Sequence, residues 1–351
     1  MSKLRVGIIG TGGISKHHLR GYRAIDDVEV VACCDIDEAK MNAYADKYGI
    51  SGRYTDCREM MAKEKLDLVS VTTWNSAHCE CTIAALRGGA HVICEKPMAM
   101  NAKEAEQMLR VAKEEGKLLQ VGFVRRFGND AKIFGDFKSA GILGDIYYAK
   151  ATYLRRCGCP GGWFGDKSYS GGGPLIDLGV HVIDLVRYLS GNPKAVSVYG
   201  ATYANLGFAR AKGAAQAWAS TLDPKYKYDV EDFATALIRF ENGLTVSIEA
   251  SFNLNCKRDS GEVRLYGTKG GAVIAPDFEM YTDIGGYFTD ISPAAEVKFD
   301  FEGAFDAEIR GFVDAATGKA ACIAPAEDGV ELMKILDGIY DSARTGHEVV
   351  L

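Results

Sequence analysis

Apolar and polar positions along this chain fall into two textures. Over roughly its first third, short apolar runs alternate with segments whose apolar residues recur every three or four positions. Residues 5–9 read as strand, 14–25 as helix and 28–34 as strand. Residues 68–71 form the next strand and 77–87 a helix. A short strand over 90–94, a helix over 101–115 and a strand over 118–122 complete the series. Strands alternating with helices of this length predict a parallel sheet covered on both faces.

After about residue 123 the texture changes. Residues 146–153, 195–203, 233–240, 244–252 and 262–266 are strand-like, and several are joined by turn signals such as Glu241-Asn242-Gly243 and Gly267-Thr268-Lys269-Gly270-Gly271. A helix over 329–344 closes the chain, with an apolar face through Val330, Met333, Leu336 and Ile339. The expected class is therefore α/β. One domain with a parallel sheet covers 1–123, and a second α/β domain, built on a large, mainly antiparallel sheet, covers 124–351.

The 351 residues and 47% hydrophobic content suffice for two substantial cores. A net charge of −6 with dispersed Lys and Arg gives no electrostatic reason to expect nucleic acid. No apolar run approaches membrane-spanning length, and Met1 to Arg5 lead directly into a strand without room for a signal peptide, so a cytoplasmic protein is expected. The ten cysteines then read as reduced thiols. Cys33-Cys34, Cys79/Cys81 and Cys157/Cys159 lack paired Cys-x-x-Cys spacing, and no metal site is expected. Cys157-Gly158-Cys159 reads as an ordinary loop, with redox activity or pocket lining as the alternatives.

The chemistry starts at Gly10-Thr11-Gly12-Gly13-Ile14-Ser15, directly after the first strand. Glycines there allow a tight turn and close backbone approach, and the following helix offers its N-terminus to a pyrophosphate. Asp35 ends the second strand, 25 positions beyond Gly10. A carboxylate at that place accepts ribose hydroxyls and repels an added phosphate, and no basic residue follows until Lys40, which favours NAD over NADP. The competing reading makes Asp35 a plain helix cap. Ligands of such sheets sit beyond the strand C-termini, which gathers Gly10, Gly12, Gly13, Ile14, Asp35, Thr73, Asn75, Glu95, Lys96 and Arg125 as candidate cofactor contacts.

Lys96, in Glu95-Lys96-Pro97, follows a strand at this edge and can stabilise negative charge on a substrate oxygen; alone, it would pass for a solvated lysine. In the segment from Leu175 onward, read as helix, Asp177, His181 and Asp184 share one face. A histidine can take a proton from an alcohol near neutral pH, and a nearby carboxylate can orient it. The plainer alternative is an Asp-His pair that stabilises a buried helix. Arg125 and Arg126 differ in direction, so that one can reach a ligand while the other pairs with an acid. Arg126, Arg155 and Trp163 are candidate substrate contacts beside Lys96, Asp177, His181 and Asp184, since polar groups beside aromatic faces suit a polyhydroxylated ligand. Surface or interdomain salt bridges are the alternative for each arginine.

Taken together, the glycine turn, Asp35, Glu95-Lys96-Pro97, Gly122-Phe123-Val124-Arg125-Arg126-Phe127 and Asp177-x-x-x-His181-x-x-Asp184 resemble the glucose-fructose oxidoreductase, inositol dehydrogenase and MocA (Gfo/Idh/MocA) family. Glu308-Ile309, Phe312 to Ala315 and Pro325 to Gly329 look like its closing segments, so the resemblance spans nearly the whole chain. It implies a Rossmann domain, a mixed α/β substrate domain with a broad open sheet, and homodimers or homotetramers. It also implies that Lys96, Asp177 and His181 are catalytic. The activity implied is reversible NAD-dependent oxidation of a secondary alcohol on a sugar or cyclitol. The alternatives are an NAD-assisted glycosidase or epimerase of the same family, or a non-catalytic ligand-sensing protein.

Overall fold

The computed structural model describes residues 3–207, 225–294 and 297–351. Its first compact unit comprises 1–127 with 301–333, and its second 128–300 with 334–351.

In the first unit, six strands pair side by side, all parallel: β1 (Leu4–Ile9), β2 (Val28–Cys34), β3 (Gly52–Tyr54), β4 (Leu68–Val71), β5 (His91–Glu95) and β6 (Leu119–Gly122). Their order is β3-β2-β1-β4-β5-β6. The chain runs outward from β1 in one direction, then returns and runs outward in the other. That reversal opens a crevice beyond the carboxyl ends of β1 and β4. The helices between strands are α1 (Ser15–Arg23), α2 (Glu38–Tyr48), α3 (Cys57–Lys63), α4 (Asn75–Arg87) and α5 (Ala102–Glu114). β4 and β6 are buried at every position, as expected of strands covered on both faces.

A single cut at residue 123 misses one feature of this unit. Later in the chain, α9 (Phe301–Ala316) belongs to it, because Ile309, Phe312 and Val313 share a core with Val6, Leu68 and Ile93. A Cβ on Gly21 would lie 2.8 Å from the Cβ of Ile309, so α1 and α9 cross in near contact. Each such fully buried aliphatic side chain contributes roughly 1.5–3 kcal/mol relative to exposure.

The second unit is built on a nine-stranded sheet. It contains β7 (Ile146–Leu154), β8 (Ala195–Tyr203), β9 (Phe233–Phe240), β10 (Thr245–Ser251), β11 (Ser260–Gly267), β12 (Gly270–Ala275), β13 (Glu279–Ile284), β14 (Tyr287–Ile291) and β15 (Val349–Val350). The order is β14-β13-β12-β11-β7-β10-β9-β8-β15, and every pairing is antiparallel except β7 with β10. Period-2 alternation is plain in β9, where Ala234, Ala236, Ile238 and Phe240 are buried and Leu237 and Arg239 are exposed. One sheet face therefore carries the core and the other faces outward. Between sheet strands lie α6 (Asn129–Ser139), the short α7 (Lys167–Ser170) and α8 (Val180–Leu189), and α10 (Ala326–Thr345) closes the chain. Val330, Met333, Leu336 and Ile339 of α10 are all buried, as their spacing predicts.

Candidate active site

The glycine turn is set by backbone sterics. Gly10 has φ of 90°, and a Cβ there would lie 2.6 Å from the carbonyl oxygen of Thr72. Gly12 and Gly13 have no heavy atom within 4 Å of where a Cβ would stand, which leaves their backbone open to a close-approaching phosphate. Ser15 opens α1, fully buried, and its Oγ donates to the carbonyl of Gly12 at 2.7 Å, so a hydroxyl is satisfied where a smaller side chain would serve. Ile14 sits just before that helix as its N-cap residue, without a side-chain cap.

Asp35 is not a helix cap. Asp37 caps α2, its carboxylate accepting from the backbone N–H of Lys40 at 3.0 Å. Asp35 instead ties the glycine turn to the end of β2. Its Oδ2 accepts from both the N–H and the hydroxyl of Thr11 at 2.8 Å each, Oδ1 accepts from Asp37 N–H at 3.1 Å, and the Lys40 ammonium lies 3.1 Å from Oδ2. Burial would raise the pKa of this carboxyl, but those hydrogen bonds and the Lys40 charge outweigh it and hold Asp35 below its ordinary value. It is thus an anion with an exposed edge, at the strand end where a ribose binds. Nearby, Thr73 is half-buried and donates to the carbonyl of Trp74 at 3.1 Å, while Asn75 opens α4 almost fully buried.

Along β5 and just beyond it, every residue from Val92 to Ala99 is buried except Lys96. The Lys96–Pro97 peptide is cis. Two histidines that the sequence reading did not single out flank this segment. His18, on α1, brings Nε2 to 2.9 Å from Oε1 of Glu95, and His78, on α4, brings Nδ1 to 2.7 Å from the carbonyl of Pro97. Both histidines are buried. Burial also lowers the pKa of His78 despite its hydrogen bonds, which favours the neutral ring. Their only sequence signal is a polar residue among the inward-facing positions of a helix. Glu95, expected to touch the cofactor, is itself buried and bonded to His18 and to the Lys96 backbone, which leaves it little surface for a ligand.

The two arginines after β6 do separate. Arg126 is buried: its Nη1 donates to Asp328 at 2.7 Å and to the carbonyl of Ile323 at 2.8 Å. That leaves it little surface for a ligand and makes it a clamp on the start of α10 and the residues just before it. Arg125 keeps partial exposure.

In the second unit, Leu175–Gly179 forms a π-helical turn ahead of α8, so the segment is not the continuous α-helix expected from the sequence. Wider turns of this kind recur at functional sites because they re-aim side chains. From Gly172 to Arg187, only Asp177 and His181 keep partial exposure. Asp184 is 1% exposed, which leaves it almost no surface for a ligand. The start of the segment is anchored by Glu231, another residue without a sequence signal. Its carboxylate accepts from Gly173 N–H at 2.9 Å, Leu175 N–H at 3.2 Å and the Tyr340 hydroxyl at 2.8 Å. Burial pushes its pKa up despite these bonds.

Arg155 is also withdrawn from the surface. Its guanidinium donates to the carbonyl of Gly158 at 2.8 Å and lies over the Tyr153 ring, so it shapes its own loop. Cys159 lies in a core cluster with Leu178, Ala250 and Phe252, and burial pushes its thiol up to about 12. Trp163 is half-buried and stacks on Phe164, with ring centroids 3.9 Å apart. Among the described residues, no helix is long and apolar enough to cross a membrane.

Comparison with known proteins agrees with this picture. Residues 4–123 match the model of the oxidoreductase family with an NAD-binding Rossmann fold, and 137–273 match the GFO/IDH/MocA C-terminal domain. D-glucoside 3-dehydrogenase of Escherichia coli (strain K12) is 36% identical over 353 residues, covering 100% of this chain and 98% of that protein. Levoglucosan dehydrogenase of Pseudarthrobacter phenanthrenivorans is 30% identical, covering 78% of this chain and 74% of that protein. A solved structure of levoglucosan dehydrogenase, in complex with NADH and L-sorbose, superposes with a TM-score of 0.85 at 24% identity, covering 100% of this chain and 99% of that one. The glycine turn with its open backbone and the anionic Asp35 fit NAD. This chain belongs to the Gfo/Idh/MocA family of oxidoreductases, with an NAD-binding Rossmann domain at its N-terminus.

Proposed function

We propose that this protein reversibly oxidises a secondary hydroxyl of a sugar or cyclitol to the ketone, with Lys96, Asp177 and His181 as its catalytic residues. One observation carries the reading: each of the three is partly exposed within a segment whose other residues are buried. Bound NAD supplies the hydride acceptor. His181 takes the hydroxyl proton as the carbon loses its hydride and the C–O bond becomes a carbonyl. The Lys96 ammonium donates to that oxygen and stabilises its developing negative charge. Asp177 orients the imidazole and favours its cationic form. Arg125 belongs to the cofactor contacts. The Trp163 face suits the C–H face of a pyranose ring, where hydroxyls need directional partners but ring carbons pack on aromatic carbon.

The similarity to glucoside and levoglucosan dehydrogenases puts intact glycosides and anhydrosugars first among substrates, with inositols next. The test is NADH formation from NAD with methyl glucoside, levoglucosan and myo-inositol. His181→Ala should cut single-turnover hydride transfer by about 10²–10⁴-fold while leaving the NADH Kd near that of the parent. An unchanged single-turnover rate rules out His181 as proton acceptor. Turnover of a glycoside without net NADH would overturn the dehydrogenase reading in favour of a redox-assisted glycosidase or epimerase.

The outward sheet face suits a second copy of this chain, in a homodimer or homotetramer. Tyr199 pairs across strands with Leu237, both exposed, and the Tyr148 and Tyr266 rings lie 5.7 Å apart. The ten free cysteines suit a reducing, cytoplasmic compartment.

A further inference from the structure

Within the first unit, three ionisable side chains meet out of reach of solvent. His18 and Glu308 are each 0% exposed and Glu95 6%, and one ring nitrogen and one oxygen from each carboxylate lie within 4.8 Å of one another. His18 therefore touches neither solvent nor a ligand. What it touches is the residue that precedes Lys96. Its Nε2 lies 2.9 Å from Glu95 Oε1, and the other oxygen of that carboxylate, Oε2, accepts from the backbone N–H of Lys96 at 3.2 Å.

We propose that His18 is a positioning residue for Lys96: its Nε2–H fixes the Glu95 carboxylate, which in turn holds the backbone of Lys96. The functional consequence rests on the reading of Lys96 as the group that acts on the substrate oxygen.

The hydrogen-bond chain supports one tautomer. Tyr22 OH lies 2.8 Å from Ser70 Oγ, and Ser70 Oγ lies 3.0 Å from His18 Nδ1. With Tyr22 donating to Ser70, Ser70 to Nδ1 and Nε2–H to Glu95, every member has a partner. Glu308 lies beside this pair. A second carboxylate so near, at such depth, disfavours charge on Glu95, and the His18 donor offsets that. Burial pushes the Glu95 carboxyl up, yet the His18 hydrogen bond, together with the charge of Lys96, brings it below its ordinary range. Glu95 thus stays an acceptor on both oxygens. Close packing completes the device, since a Cβ on Gly122 would lie 3.2 Å from the Glu95 carboxyl carbon.

Two amide substitutions separate this role from mere core packing. The Gln side chain in His18→Gln places an N–H donor where Nε2 stood, whereas the shorter Asn in His18→Asn reaches only the Nδ1 position. Amide hydrogen exchange at Lys96 N–H, read by NMR, needs no substrate. His18→Asn should accelerate it and lower kcat, each roughly tenfold to a hundredfold, the span of one charge-assisted hydrogen bond. The NADH Kd should hold, and His18→Gln should recover most of both losses. Equal damage by the two variants, or an unchanged exchange rate and kcat in His18→Asn, overturns the proposal. If His18→Asn does not fold, the isosteric Glu95→Gln carries the test: it should lower kcat, and a parent-like kcat and Lys96 exchange rate there overturn the proposal as well. Lys96→Met is the control for the underlying reading. Full activity in Lys96→Met defeats the catalytic role of Lys96 but leaves the exchange result standing. Loss of activity there with no effect at His18 defeats the positioning role alone.

Discussion

Replacing Asp35 by Ala separates two jobs that one carboxylate holds at the end of β2. In the structure Asp35 accepts twice from Thr11, within the glycine turn, and once from Asp37, and it pairs with Lys40. Its remaining surface is the edge available to a ribose. Losing charge-assisted bonds to ribose hydroxyls, each worth about 1.5–3 kcal/mol, should weaken NAD by about 3 kcal/mol, roughly a hundredfold in Kd. NADP responds in the opposite direction. A unit charge pair 4 Å apart near a protein surface is worth about 4 kcal/mol before salt screening, so removing the carboxylate relieves a repulsion of that order. It also releases the half-exposed Lys40 to meet the 2′-phosphate. Asp35→Ala should therefore tighten NADP by about tenfold, and Asp35→Ala/Lys40→Ala should lose that gain. Fluorescence titration of NADH and NADPH in low salt measures both. If the two Kd values rise by the same factor, Asp35 acts only through Thr11 as a tie for the turn, and the ribose assignment is refuted. The acid limb of stability gives a second signature. The pKa of Asp35 is lowered in the fold, so its contribution is present above the ordinary value of 3.8 and lost as pH falls through the folded value. The Ala variant should lack that part of the acid-induced loss.

Two further variants probe the scaffold. Arg126→Ala leaves the Asp328 carboxylate without its buried guanidinium partner and should cost about 3–5 kcal/mol in urea unfolding, with the sugar KM of the folded fraction unchanged; a large KM rise without destabilisation would return Arg126 to the substrate site. Glu231→Ala removes the acceptor of two backbone N–H groups and the Tyr340 hydroxyl at the start of the Asp177/His181 segment. It should cost about 2–4 kcal/mol by thermal denaturation and lower kcat more than it changes the NADH Kd, and an unchanged kcat would detach Glu231 from the catalytic segment.

The sequence by itself determined the parallel and antiparallel halves, because period-3.6 and period-2 apolar patterns answer to local geometry and to which face is buried. It also determined the glycine turn and the acid that ends β2, since Gly10 must adopt positive φ and Asp35 stands at a fixed offset from it. Lys96, Asp177 and His181 were legible as chemistry-bearing residues set in apolar surroundings. Tertiary structure decided what each charge does. Nothing local distinguishes Arg125 from Arg126; Asp328, 202 positions beyond Arg126, and the carbonyl of Ile323 hold that guanidinium inside the first unit. Asp184 carries a helical spacing that promises a shared face, yet the π-helical turn and the surrounding core bury it. The return of α9 to the first unit depends on apolar contacts across some three hundred residues of chain, which no window of sequence contains. The same holds for His18, Glu95 and Glu308: three strong polar groups share a dry interior because α1, β5 and α9 fold together, and charge in such a place is set by its neighbours in space.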